Sequence, residues 1–139
     1  MTMTPIPQSI ENANAPRGRL SIRTVAMPAD TNPQGVIFGG WLLAQMDLAG
    51  GTHAFHRAKG LVVTVAVEAM TFHEAVFVGD EVSCYTEVVK VGKSSIAVRV
   101  EAWVRRRWGE AEQIKVTSAS FTFVAINEDR SKRLVPPEE

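Results

Sequence analysis

Phe38-Gly-Gly-Trp-Leu-Leu-Ala-Gln-Met-Asp-Leu-Ala-Gly-Gly-Thr-His-Ala-Phe-His-Arg-Ala-Lys59 is the stretch on which the fold turns. Trp41, Leu42, Leu43, Met46, Leu48, Ala49 and Phe55 cover most of a helical wheel. A surface helix carries a single apolar stripe, so a helix apolar nearly all round is one to be buried. Gly60 follows as the expected C-terminal stop. Upstream, Met27–Gly35 holds Pro28, Asp30, Asn32, Pro33 and Gly35, which is loop chemistry. Further upstream, Leu20–Ala26 alternates as a strand, with Leu20, Ile22, Thr24 and Ala26 on one face and Ser21, Arg23 and Val25 on the other.

Downstream of Gly60 the pattern changes and stays changed. Leu61–Phe72 is rich in β-branched residues, from Val62 to Val67. Glu81–Val91 follows the Gly79-Asp80 turn, Ser94–Arg107 follows Gly92-Lys93, and Glu112–Ile126 follows Gly109. In the last segment Ala119, Phe121, Phe123 and Ala125 share one face, Thr122 and Val124 the other. The predicted order is strand, loop, one long helix, then four strands well above the usual five or six residues. The fold class is therefore α+β: one domain in which a long antiparallel sheet wraps around one central helix. Residues 1–19 read as a loose arm, 20–126 as the domain, and 127–139 as a charged, Pro-ended tail. The helix hides one face of the sheet. The other face and the edges still need cover, which predicts a homo-oligomer.

Composition narrows the function. The chain has 139 residues, 15 acidic and 15 basic, for a formal charge of zero. A general nucleic-acid binder normally shows a basic excess. The single cysteine, Cys84, cannot form a disulfide within the chain and reads as a strand residue in a reducing compartment. Met1–Arg19 lacks the basic and apolar regions of a signal peptide, and no apolar run approaches the roughly 18 residues of a membrane span. The expected location is the cytoplasm, with no nucleic-acid or membrane partner.

Asn32-Pro-Gln-Gly35-Val-Ile-Phe-Gly39-Gly40, running on to Asp47, concentrates the chemistry. Gly39 and Gly40 open the helix, where unpaired N–H groups and the positive dipole end suit a developing oxyanion. They equally suit close packing of helix against sheet, and both readings stand. Asp47 lies about two turns into the helix. If buried, its carboxylate needs a reason to be there, such as service as a general base or a nucleophile. It can also sit on a narrow polar stripe with Gln45. Asn32 is ordinary turn material or an amide that orients water or a carbonyl. His53 and His56 are spaced for a metal pair, but no further ligand completes a set. His73-Glu74 reads as a solvated turn, and Trp41 and Trp103 as core or interface residues. Arg105-Arg106-Arg107 and Lys93-Ser94-Ser95 are solvated turns or phosphate contacts.

These residues resemble a known family. Ala26-Met-Pro-Ala-Asp-Thr-Asn32-Pro-Gln-Gly35-Val-Ile-Phe-Gly39-Gly40, with Gln45-Met46-Asp47, is similar to the signature of YciA-type acyl-CoA thioesterases. That branch of the hot-dog superfamily also includes the cytosolic brain-type acyl-CoA hydrolases. The likeness continues through Val62-Val-Thr-Val65, Glu68-Ala-Met70-Thr71-Phe72, Val78-Gly79-Asp80, Val100-Glu101-Ala-Trp103-Val104 and Ala119-Ser-Phe121-Thr-Phe123-Val124. It covers roughly Leu20 to Val135.

The resemblance implies a hot-dog fold and hydrolysis of acyl-CoA to free acid and CoA without a metal or other cofactor. It implies paired protomers sharing a continuous sheet, with dimers assembling as a trimer. Asp47 takes the catalytic position, with Asn32 contributed by the facing protomer. Gly39, Gly40 and Thr64 fall among the oxyanion and substrate-binding residues; Lys93, Ser94 and Arg105 would meet the CoA phosphates. Two departures bear on chain length and ion pairing. Ala66 stands where relatives often have Arg, and Thr52-His53-Ala54-Phe55-His56 is bulky enough to shorten an acyl tunnel or to repack the core. A hydratase of the same fold generally uses a His with a carboxylate, and the loop before the helix here has no His. A non-catalytic acyl-CoA sensor is the reading from a different class.

Overall fold

Strand β1 (Arg19–Val25) leads through a single 3-10 turn, Pro28–Asp30, to helix α1 (Gly39–Ala58). Four strands follow: β2 (Val62–Glu68), β3 (Glu81–Val91), β4 (Ser95–Arg105) and β5 (Ile114–Ala125). The computed structural model describes residues 15–68, 70–106 and 112–138. The expected Gly109 turn and Arg107 lie outside them. The sheet order is β1-β3-β4-β5-β2 with every pair antiparallel, so β1 and β2 are the two edges. This is the sheet wrapped around one helix that the residue pattern predicts.

The core lies between α1 and the concave face of the sheet. Leu42, Met46, Ala49, Gly50, Ala54 and Ala58 are the buried helix positions. They meet Val98, Val100, Phe121 and Phe123, all buried, from β4 and β5. Each large side chain buried there stabilises the fold by about 1.5–3 kcal/mol. Gly50 permits the closest approach: a Cβ there would sit 3.1 Å from both Phe123 and Val100. The ~1 kcal/mol that a mid-helix glycine costs relative to alanine is offset by this packing.

Three expectations need correcting. The helix is not buried all round in the single chain, because Leu48 is 59% and Phe55 45% exposed on its outer side. The left-handed residue that ends α1 is Lys59 (φ 55°), not Gly60. A Cβ at Gly60 would come within 2.9 Å of the Arg133 guanidinium, the far end of a flexible side chain that can shift. Finally, β2 stops at Glu68 rather than Phe72, so three long strands follow the helix, not four. The chain beyond β2 leaves the sheet to cover the start of α1, tied to β5 by His73 N–H to Val116 O (2.8 Å) and Thr117 Oγ1 to Thr71 O (2.6 Å).

The tail is seated on the domain. Val135 N–H donates to Lys93 O at 2.8 Å and Arg57 Nη1 to Pro136 O at 2.6 Å. Among the described residues, no helix is long and apolar enough to cross a membrane.

Candidate active site

Asp47 projects from the middle of α1 toward the edge strand β2. Its Oδ1 accepts a hydrogen bond of 2.7 Å from the Thr64 hydroxyl. Thr64 pairs with Phe123 across the β2–β5 ladder, so the sheet register fixes where its hydroxyl stands. Oδ2 of Asp47 has no hydrogen-bond partner among the described residues, and the side chain is half-buried. The carboxylate is thus held by one oxygen and open at the other.

Two grooves meet at this pair. The larger, about 380 Å³, runs past Asp47 and Thr64 along Leu48, Phe55, Leu61 and Phe123. The smaller, about 250 Å³, runs back from the same pair past Leu43 and Val67 to Gly40. Leu48 and Leu61 were not singled out as site residues by sequence reasoning, and Phe55 entered it only within the bulky Thr52–His56 segment. The signal for them was the excess of apolar residues around the helix, which exceeded what one sheet face can bury.

The start of α1 is chemically bare. Phe38 holds the N-cap position and offers no side-chain cap. The first helical bond is Leu42 N–H to Phe38 O at 3.3 Å, so the amides of Gly39, Gly40 and Trp41 precede any intrahelical partner. The two glycines separate into the two roles that the sequence left open. A Cβ at Gly39 would press within 3.3 Å of the Phe72 ring, whereas a Cβ at Gly40 would meet nothing within 4 Å. Gly39 therefore serves packing, and Gly40 leaves its amide approachable.

Asn32 anchors the loop ahead of the helix. Its Oδ1 accepts from Gln34 N–H (2.9 Å) and Val36 N–H (3.1 Å), and its own N–H donates to Val36 O (2.7 Å). The side-chain NH₂ makes no hydrogen bond among the described residues. Asn32 lines neither of the grooves that Asp47 lines.

The phosphate candidates fall at opposite ends of the sheet. Lys93 and Ser94 form the β3–β4 turn, at the end where Val62 pairs with Ala125 and Ala125 N–H donates to Ser94 O (2.8 Å). Arg105 closes the far end of β4, about 30 Å away along an extended strand. It forms an ion pair of 2.9 Å with Glu81.

The histidines also part. His53 Nδ1 bonds Thr86 Oγ1 (2.8 Å) and His56 Nδ1 bonds Arg19 Nη2 (3.3 Å), and no group that could hold a metal occurs among the described residues. Burial, helped by the Arg19 charge and His56, keeps His53 below the ordinary histidine range. Cys84 is buried in β3, which pushes its thiol up to about 12 and leaves it inert as a nucleophile.

Known proteins are similar to this chain in sequence and fold. The thioesterase superfamily model matches residues 34–107. The chain is 46% identical over 127 residues to the acyl-CoA thioester hydrolase YciA of Escherichia coli strain K12, spanning 90% of this chain and 96% of that protein. It is similar to the crystal structure of a hexameric broad-specificity acyl-coenzyme A thioesterase, with a TM-score of 0.85 at 48% identity over 92% of this chain and 88% of that one. It is likewise similar to a hexameric thioesterase from Yersinia pestis, with a TM-score of 0.84 at 47% identity over 88% and 99% of the two chains.

Proposed function

The chain belongs to the thioesterase superfamily as an acyl-CoA thioester hydrolase, and we propose that Asp47 drives the hydrolysis at a site completed by a second protomer. The observation that carries this reading is the Thr64–Asp47 hydrogen bond of 2.7 Å at the junction of two apolar grooves. A carboxylate oriented by one oxygen and open at the other is placed to act on a substrate atom. Asp47 either takes a proton from the attacking water or adds to the carbonyl itself, giving a mixed anhydride that water then opens. In both routes the carbonyl oxygen becomes an oxyanion, the C–S bond breaks, and the departing thiolate of CoA takes up a proton. The exposed Gly40 amide and the positive end of α1 stabilise the oxyanion.

The second protomer follows from Asn32 and from β2. Asn32 has an NH₂ with no partner among the described residues, suited to holding water or the carbonyl oxygen, yet it lines neither groove that Asp47 lines within one chain. A facing protomer brings such a loop to Asp47. The edge that admits it is β2, where Val65 is 55% and Val67 41% exposed and Glu68 is the sole charge. The opposite edge, β1, carries Arg19 and Arg23, and charges of this kind protect an edge meant to stay unpaired. Pairing through β2 gives a continuous sheet over both protomers, and three such dimers give a homohexamer. The nucleotide phosphates of CoA lie at the Lys93-Ser94 turn; Arg105, held by Glu81 at the far end, is not part of that contact. The reaction needs no metal or cofactor.

The test is CoA release, followed with a thiol reagent, from acyl-CoAs of graded length in buffer containing a metal chelator. Turnover is expected. CoA binding without turnover on any thioester would instead favour the sensor reading.

A further inference from the structure

Asp80 carries a charge that the hydrolysis leaves unused. It closes the Gly79-Asp80 turn ahead of β3 and is 2% exposed. A carboxylate taken out of water is costly unless it is paired and hydrogen-bonded. Its Oδ2 accepts Phe77 N–H at 2.9 Å and Arg106 Nη1. The same Arg106 nitrogen donates to Ala75 O at 3.1 Å, and the guanidinium lies over the Phe77 ring, 5.1 Å from its centroid. In the sequence Arg106 belongs to a run of three arginines that reads as a solvated turn or a phosphate contact. The structure turns it inward onto Asp80 instead.

The segment fastened in this way carries two others. Ala26 N–H donates to Asp80 O (3.0 Å) and Gly79 N–H to Ala26 O (2.8 Å), so the chain just after β1, where the Asn32 loop begins, hangs on the turn. Ile37 N–H donates to Val76 O (3.0 Å), between the Ala75 and Phe77 that Arg106 and Asp80 hold. Ile37 immediately precedes Phe38, the N-cap of α1. Phe38 N–H in turn donates to Asp30 O (3.1 Å), joining the helix start back to the loop. Both ends of the segment that contains Asn32 are therefore tied to one turn, and the Gly40 amide follows its second end. On the thioesterase reading above, we infer that Asp80 and Arg106 are positioning residues: their ion pair sets where the Gly40 amide and the Asn32 loop stand for the reaction, without touching substrate.

The helix start needs such outside support. Phe38 gives it no side-chain cap, and Gly39 and Gly40 follow at once. Glycines fix the backbone less firmly than other residues. A misplacement of about 1 Å, caused far from the chemistry, can cost about 10²-fold in rate.

The measurement is kcat and KM for hexanoyl-CoA, well below the melting temperature, beside amide hydrogen exchange. Asp80→Asn keeps an acceptor for Phe77 N–H and removes the charge; Arg106→Met keeps the length and loses both bonds. Each should lower kcat at least tenfold with KM within twofold, the pattern of misaligned transition-state groups and not of lost binding. The double variant leaves no charge buried, so it stands in if Arg106→Met does not fold. It should be no worse than either single change, because the pair acts as a unit. Arg106→Lys, which keeps a cation beside Asp80, should stay within threefold of the wild type. Exchange at the Ala26 and Ile37 amides should quicken at least tenfold in Asp80→Asn, and exchange at Val100 should not. Cys84→Ala, a loss of packing elsewhere in the core, should lower the melting temperature and leave kcat unchanged. Wild-type kcat in Asp80→Asn and in the double variant, or a fall in kcat that Cys84→Ala reproduces, would leave the pair structural only and overturn the inference. A wild type that hydrolyses no acyl-CoA brings down the hydrolase reading and the positioning role with it, a result distinct from variants that match an active wild type.

Discussion

Asn32 holds its loop with its side-chain oxygen, and its side-chain nitrogen makes no hydrogen bond among the described residues. Asn32→Asp keeps the acceptor for Gln34 and Val36 and removes the NH₂. It should lower kcat about 10²-fold, as loss of an oxyanion-type donor does, with an unchanged melting temperature. Asn32→Ala should lose the turnover and about 1 kcal/mol of stability as well. An Asn32→Asp variant with wild-type turnover would confine Asn32 to its turn. His53 gives a second expectation. Its pKa is lowered on folding, so the folded chain prefers the neutral ring and the unfolded chain binds a proton more readily. Its stabilising contribution is present above the unfolded value, near 6.5, and is lost as the pH falls through the folded value. Melting temperature should therefore fall between pH 7 and pH 5, and His53→Gln should flatten that slope. A wild-type slope retained in His53→Gln would place the titration elsewhere. Of these residues, Asp47 and Asn32 stood out in the sequence because polar groups flank an apolar helix. The Thr64 contact with Asp47 depends on the β2–β5 register, which no local pattern encodes.

At the scale of elements, legibility followed the turn chemistry. β3 begins and ends where the Gly79-Asp80 and Gly92-Lys93 turns say it should. β2 was overread by four residues because Met70 and Phe72 are as apolar as strand residues but are spent on covering the helix start. The helix end was misassigned because a glycine was at hand, yet Lys59 adopts the left-handed turn. β4 held a feature without local warning: Glu101, 1% exposed, accepts Arg99 Nη2 at 2.6 Å and Trp103 Nε1 at 2.9 Å. Burial pushes that carboxyl up, and the bonds from Trp103, the Arg17 backbone and Arg99 more than reverse it, leaving it below its ordinary value. The edge strand supports the element-scale prediction. Val65→Lys puts a charge on the exposed apolar edge of β2. Light scattering should find it dissociated toward monomers, with turnover down at least tenfold because the facing Asn32 is lost. A fully assembled and active Val65→Lys would move the pairing to another surface.

For the whole molecule, a helix buried on one side and apolar on the other makes sense only in an assembly. Leu48 and Phe55 on α1, Leu61 just before β2, and Val65 and Val67 within it, are all exposed in the single chain, and clustered exposed apolar side chains mark interaction surfaces. Leu48, Phe55 and Leu61 line one groove with Asp47, so on the proposed reading assembly and catalysis would share residues. Hydrophobic excess in the sequence is enough to predict an oligomer, but the make-up of a shared site is not legible there: the sequence records what each chain must bury, and the facing residues depend on how two chains meet. The central claim is that Asp47 performs the chemistry. Its most direct test is CoA release from the acyl-CoA panel by Asp47→Asn, which keeps the size of the side chain and a partner for Thr64 but removes the charge. Loss of turnover by at least 10³-fold, with assembly and CoA binding intact, is the predicted result; turnover comparable to the wild type would contradict it.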